Sequence, residues 1–406
     1  VTQQLPQSQA EVQALTRLAG DEFVSAVDGI ADIHRAISDR VFATLRLGLG
    51  PAADPVKIVH DAITDGVYAI VSGSGSVVGE VASAVAVPGV PAPSRTVWGA
   101  GVLAAVQGLI GDTLADNAPI LSTPMTFRVD GAPIRPDVLA AYSPTPTAKL
   151  VVSVHGLVET EHAWRLGGEA TYGDRLATDL GYTPLFLRYN SGLHISENGA
   201  QLSELLADVV AHWPVPVEEI CLIGHSMGGL VARSACHQAA EAGADWVSWV
   251  RQIICLGSPH LGAPLEQAVH YAAAALDHFP ETRPLSRLLK RRSAGIRDLR
   301  RGSLVDEDWA DLDADALRTR VAAEVPLLPS IDHYFVTATV TRSPRHPLGR
   351  LIGDGLVLSG SGSGRGDARR MGLGEVNGMH VPGAHHFGLL NHDSVYQALR
   401  SWLSLP

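Results

Sequence analysis

The sequence of this 406-residue chain predicts an α/β fold with a mostly parallel, doubly wound sheet, and three observations predict it. From Lys149 onward, short apolar runs rich in β-forming residues alternate with segments of helical period, the pattern of a parallel sheet covered on both faces. One run, Glu219-Ile220-Cys221-Leu222-Ile223, meets Gly224-His225-Ser226-Met227-Gly228-Gly229 and passes straight into a small-residue helical segment at 230–240. Loops bearing an acid and a pair of histidines then follow the late strands, at 352–357 and 384–390.

Bulk properties limit the function classes. Hydrophobic content of 46% with 18% charged residues is globular, and the length suits one large α/β domain with additions, or two domains. A net charge of -11 and a pI near 5.8 argue against nucleic acid, which requires a basic face. Cys221, Cys236 and Cys255 fall inside predicted strands or helices without metal-ligand spacing, so they read as buried small hydrophobes. A reducing, cytoplasmic address is therefore the favoured expectation, with export after loss of a leader left open. The apolar stretch 97–110 contains Gln107 and reads as too short for a bilayer span.

Residues 1–120 read as a helical extension, a platform or lid. Ser8 and Glu11 make a capping-box start, and Val12, Leu15, Leu18, Val27, Ile30, Ile33, Ile37, Val41 and Leu45 fall mostly at spacings of three and four. Residues 48–51 end that run, a second helix is expected over 55–71, and helix is expected to resume over 77–87. A Pro-rich stop follows at 88–93, and Ser94 is expected to cap a helix over 95–116. Packing on the catalytic domain is the favoured role. A peripheral membrane contact is less favoured, because these helices lack a Lys/Arg-rich polar face.

Residues 121–406 read as the catalytic domain. Strands are expected at 126–129 and 138–142, then a buried strand at 149–155, a helix at 172–180, a strand at 184–189, a helix at 197–213 and a strand at 252–256. The rhythm breaks at about 261–330, read as a cap inserted between late strands. Its basic patch at 290–292 and acidic run at 306–315 read as solvated surface. A strand at 334–340, a short strand near 376–381 and an amphipathic helix at 394–403 complete the chain.

Ser226 sits where a strand turns sharply into a helix, a geometry that needs residues without bulk two positions either side, here Gly224 and Gly228. The Met227 amide, at the start of that helix, then faces any oxyanion formed beside Ser226. A serine hydroxyl needs a base, and the base needs a carboxylate. Asp354 is the leading acid, with Asp332 and Asp367 as rivals in the same half. His386 competes with His385 and His380 for the base.

Taken together, 224–229, His155-Gly156, 257–262, 354–357 and 386–390 resemble the lipase and esterase branch of the α/β-hydrolase superfamily. The pattern is similar to bacterial triacylglycerol-lipase-like proteins and to the catalytic domain of GPI inositol-deacylases, over roughly 125–406. The resemblance implies an α/β-hydrolase fold, with Ser226 as nucleophile, Asp354 as acid, His386 as base and the Leu157 amide as second oxyanion donor. Glu159, Trp164, Tyr189, Asn190 and His260 stand near strand ends and are pocket candidates. His155 and His225 read as structural.

The expectation is a serine hydrolase of carboxylic esters acting through an acyl-enzyme on a hydrophobic ester, with no cofactor and no metal. Phospholipase, amidase and acyltransferase chemistry on the same triad are the alternatives, and a non-catalytic binding protein with the same fold is the alternative from another class. Oligomeric state is not legible in the sequence.

Overall fold

The computed structural model describes residues 7–18, 91–166, 170–263, 292–310, 322–343, 346, 349, 353–365, 371 and 377–405. Helix α1 spans Gln7–Leu18. The expected capping box is not formed: Glu11 is buried and accepts from the backbone N–H of Ser94 at 2.9 Å and from its hydroxyl at 2.7 Å. Ser94 is thereby taken, and Thr96 caps α2, Val97–Asn117, accepting from Gly99 N–H at 3.0 Å. The helices expected at 55–71 and 77–87 lie outside the described residues.

By length and composition α2 is able to cross a membrane, and 61% of its most apolar window is buried inside the molecule. Its backbone leaves helical geometry at Ile110 (φ -141°). Two carbonyls around that break find outside donors: Ser293 Oγ donates to Gly108 O at 2.6 Å and Asn190 Nδ2 to Gly111 O at 2.8 Å. A kink whose freed carbonyls are satisfied in this way avoids the cost of buried unpaired groups.

Strands β1 (Thr126–Val129) and β2 (Ala132–Ile134) form a hairpin around Asp130-Gly131. The strand expected at 138–142 is instead α3, Pro136–Leu139, running into a 3-10 turn. Pro136 stands in the first helical turn, where its fixed φ suits a helix and no N–H is missed. There follow β3 (Lys149–Val154), α4 (Tyr172–Leu180), β4 (Thr183–Arg188), α5 (Ile195–His212), β5 (Glu219–His225), α6 (Met227–Glu241) and β6 (Val250–Leu256). Helix α7, Ala294–Leu299, lies in the expected cap region; β7 (Asp332–Thr339), α8 (Ser359–Gly362), β8 (Gly378–Pro382) and α9 (Asp393–Leu403) complete the described chain.

The strands form one eight-stranded sheet in the order β2-β1-β4-β3-β5-β6-β7-β8. Pairing is parallel from β4 to β8 and antiparallel at β1. Period-two alternation divides the core. On β5, Ile220 and Leu222 pack with α5 and α6, while Cys221 and Ile223 pack on the other face with α4 and α9. Two buried faces explain why these strands read as unbroken apolar runs. Cys221, Cys236 and Cys255 are free and buried.

From β3 the chain leaves first toward β4 and then returns to β5 on the other side of β3. The loops at the carboxyl ends of β3 and β5 therefore diverge from a switch point, where open α/β sheets present their ligand sites.

Leu222 is fully buried on central β5. Leu222→Ala is expected to destabilise the protein by about 2–5 kcal/mol in a denaturant titration; a loss under about 1 kcal/mol contradicts this packing.

Candidate active site

Ser226 is the single residue between β5 and α6, with φ 53° and ψ -123°. Such geometry costs a non-glycine residue about 1–3 kcal/mol and persists only where its surroundings over-determine it. Here the Ser226 N–H donates to Leu256 O at 2.8 Å, tying the turn to β6. A Cβ at Gly224 would lie 2.3 Å from Gly229 N, and one at Gly228 would lie 2.1 Å from Val154 O. Both glycines are steric requirements of the turn.

Asp354 and His386 are brought together across 32 residues. His386 Nδ1 lies 2.8 Å from Asp354 Oδ2, both side chains being 2% exposed. The other oxygen, Oδ1, accepts from the N–H groups of Leu356 (3.0 Å) and Val357 (2.8 Å), and His386 N–H donates to Asp354 O at 3.0 Å. Burial works against a charged imidazole, but the charge and hydrogen bond of Asp354, helped by the charge of Glu159, outweigh it and hold His386 above the ordinary histidine range. With Nδ1–H given to Asp354, Nε2 carries the lone pair.

The rivals are occupied elsewhere. His380 lies between the hydroxyls of Thr337 (3.0 Å) and Thr339 (3.1 Å). His385 is exposed and accepts from Gly388 N–H. Asp332 is exposed at the start of β7, and Asp367 lies outside the described residues.

The ring of His225, the residue before Ser226, has its centroid 4.8 Å from that of His386. Among the described residues the Ser226 hydroxyl makes no hydrogen bond to His386, a contact that in hydrolytic sites often tightens only around bound substrate. Gly257, at φ 62°, gives the imidazole its room: a Cβ there would lie 3.1 Å from His386 Cε1. Tyr172 Oη donates to Leu389 O at 2.8 Å and accepts from His392 N–H at 2.7 Å, anchoring the segment after His386 to α4.

The loop after β3 closes over the same turn. A Cβ at Gly156 would fall 2.9 Å from Ser226 Cβ, so only glycine permits this approach. Most of the loop's amides are engaged: Gly156 N–H with Glu159 Oε2 (2.7 Å), Val158 N–H with Ser191 Oγ (3.2 Å) and Glu159 N–H with Gly156 O (3.4 Å). Among the described residues, the N–H groups of Leu157 and Met227 donate to nothing.

Helix α2 supports this loop. Val158 has φ 58°, an outlier for a β-branched residue. Its Cγ1 fills the space where a Gly108 side chain would stand, 2.3 Å from that ideal Cβ. Asp112 on α2 also accepts from Ala294 N–H (3.0 Å) and from Arg297 Nη2 (3.2 Å) on α7. These contacts were not foreseen from the sequence; Gly108 and Gly111 on one side of an apolar helix were the signal available for them.

Of the pocket candidates, Glu159 contacts both the loop after β3 and the end of β5. Trp164 is core, packed with Tyr172 and Leu176. Tyr189 stacks on His155 at 4.3 Å and donates to its carbonyl at 2.7 Å. His155 in turn contacts Gly156 O through Nδ1, and burial pushes it down to about 4, so it stays neutral. Asn190 ties the β4–α5 loop to Gly111 O and Ser122 Oγ. His260 is buried against Arg233 Nη1 at 3.4 Å. Among the described residues no three His, Cys, Asp or Glu side chains converge as a metal-ligand set.

Residues 169–334 match the family model described as PGAP1-like alpha/beta domain, a span that contains Ser226 and stops before Asp354 and His386. Similar solved structures include the mature Bacillus licheniformis lipase BlEst2, at 17% identity and TM-score 0.41, covering 64% of this chain and 95% of the lipase. They also include the Staphylococcus hyicus lipase, at 16% identity and TM-score 0.35, covering 64% and 96%. A metagenomic carboxyl esterase, MGS0156, stands at 15% identity and TM-score 0.33, covering 75% and 91%. No curated protein matches the chain. Sheet order and strained turn give an α/β fold with a mostly parallel eight-stranded sheet, in line with the alpha/beta domain matched over 169–334.

Gly108→Ala is expected to push Val158 and its loop and to lower kcat for an activated ester by about 10²-fold, the scale of an ångström-sized misplacement. Val158→Ala in the same chain should restore most of the loss. Unchanged turnover in the single variant contradicts the role given to α2.

Proposed function

We propose that the protein is a serine hydrolase that cleaves carboxylic esters through an acyl-enzyme on Ser226. The observation that carries this reading is the buried Asp354–His386 hydrogen bond of 2.8 Å, standing beside a serine in strained strand-to-helix geometry. His386 Nε2 removes the Ser226 proton as Oγ attacks the ester carbonyl, and Asp354 holds Nδ1–H and favours the imidazolium that forms. The negative oxygen rests on the unengaged amides of Leu157 and Met227, the second strengthened by the start of α6. His386 then gives its proton to the departing alcohol. Water, activated by the same imidazole, releases the acid and restores Ser226.

In this reading residues 1–120 act as a platform and about 261–330 as a cap, and the partner is a hydrophobic ester.

Ser226→Ala is expected to lower kcat/KM for p-nitrophenyl esters by at least about 10⁴-fold without unfolding the protein; retained turnover rejects the assignment. His386 must be neutral to act as base, and its folded value is raised. Activity should therefore fall with decreasing pH along a limb centred above the ordinary histidine value of about 6.5. A limb centred below that value contradicts the role of Asp354.

A further inference from the structure

Glu159 is a buried carboxylate that the hydrolytic mechanism leaves without a task. It is 7% exposed, and its oxygens point two ways: Oε2 accepts Gly156 N–H at 2.7 Å, and Oε1 lies 2.8 Å from His225 Nδ1. His225 is fully buried, immediately precedes Ser226, and brings its Nε2 to 3.2 Å from His386 O. A carbonyl oxygen only accepts, so Nε2 carries a hydrogen. His225 Nδ1 and Glu159 Oε1 meet as a buried ion-pair contact outside hydrogen-bond geometry, and Nδ1 has no hydrogen-bond partner among the described residues. The pair is thus an imidazole–carboxylate contact held in a desolvated site.

We infer that Glu159 and His225 are positioning residues: a buried imidazole–carboxylate pair that clamps the loop bearing Leu157, the turn bearing Ser226 and the backbone of His386 to one another and balances the charge seen by the catalytic imidazole. The inference rests on the triad reading above. Each of the three loops leaves a different strand, β3, β5 and β8, and this pair contacts all three. A purely apolar filling would pack the same volume without desolvating a charge, but would provide neither acceptor for Gly156 nor donor for His386 O.

The pair also sets the field at His386. Among the described residues, the titratable and charged groups facing that ring are Asp354 from the loop after β7, Glu159 from the loop after β3, His225 from the end of β5 and adjacent His385. Glu159 favours the protonated imidazole, in agreement with its contribution to the raised His386. Its burial is likewise countered by the charge of His225 and by Gly156 N–H, which keep Glu159 below the usual carboxylate range. Removing His225 exposes His386 to an uncompensated carboxylate; removing the Glu159 charge does not.

The test compares pH profiles of kcat/KM for Glu159→Gln, His225→Gln and the unaltered protein, with Ser226→Ala alongside. Both Gln variants should lose about 10- to 100-fold in kcat/KM. The acid limb of His225→Gln should lie at least about 0.5 pH units above that of Glu159→Gln. Limbs that coincide or separate in the opposite order overturn the proposal, since a merely structural role changes stability and leaves the limb in place. If Glu159→Gln does not fold, His225→Gln against the unaltered protein carries the same test, and its limb must lie at higher pH. Turnover retained in Ser226→Ala would instead defeat the triad reading itself.

Discussion

Asp354 is the fixed point of the site, because its contacts are complete before any substrate arrives. One carboxylate oxygen takes two backbone amides, the other takes the imidazole, and its carbonyl takes the amide of His386. An acid held this way cannot swing, so the ring it carries cannot swing either. The left-handed backbone at Gly353 and Gly355 makes the turn that allows it. Everything proposed for Ser226 presupposes that imidazole, with its lone pair on the far nitrogen.

Strain is concentrated at the turn and loop to which the proposed chemistry is assigned, and it is offset by the sheet around them. Ser226 and Val158 both occupy left-handed backbone, and each is held by a neighbour: Ser226 by Leu256 O on β6, Val158 by Ser191 and the missing side chain of Gly108. The parallel core beneath supplies rigidity, with Leu150, Val152, Leu222 and Ile253 fully buried on one face. Small residues let the loops meet, since Gly156, Gly224 and Gly228 leave no room for a Cβ.

Much of this was legible in the sequence, because it is encoded locally. The parallel strands announced themselves as apolar runs, the strained turn at Ser226 by its glycines, and the Asp354–His386 pair by its order after late strands. What failed was information carried by distant partners. Ser8 and Glu11 have capping-box spacing, yet Glu11 is claimed by Ser94, 83 residues away. Residues 138–142 form a short apolar run that reads as a strand, but Pro136 starts a helix, and the true strand, Ala132–Ile134, hid behind Pro133. That proline is tolerable because β2 is at the sheet edge. Trp164, Tyr189, Asn190 and His260 stand near these loops in sequence, but side-chain direction sends Trp164 into the core, Tyr189 onto the His155 carbonyl, Asn190 onto Gly111 O and Ser122 Oγ, and His260 against Arg233. The wedge of α2 on Val158 and the Glu159–His225 pair join segments that no local pattern connects.

The most direct test of the central claim is covalent labelling with a fluorophosphonate followed by peptide mass mapping. The account predicts one adduct per chain, on Ser226, and loss of that adduct when His386 is replaced by Ala. Labelling at another residue, or undiminished labelling of Ser226 without His386, would contradict it.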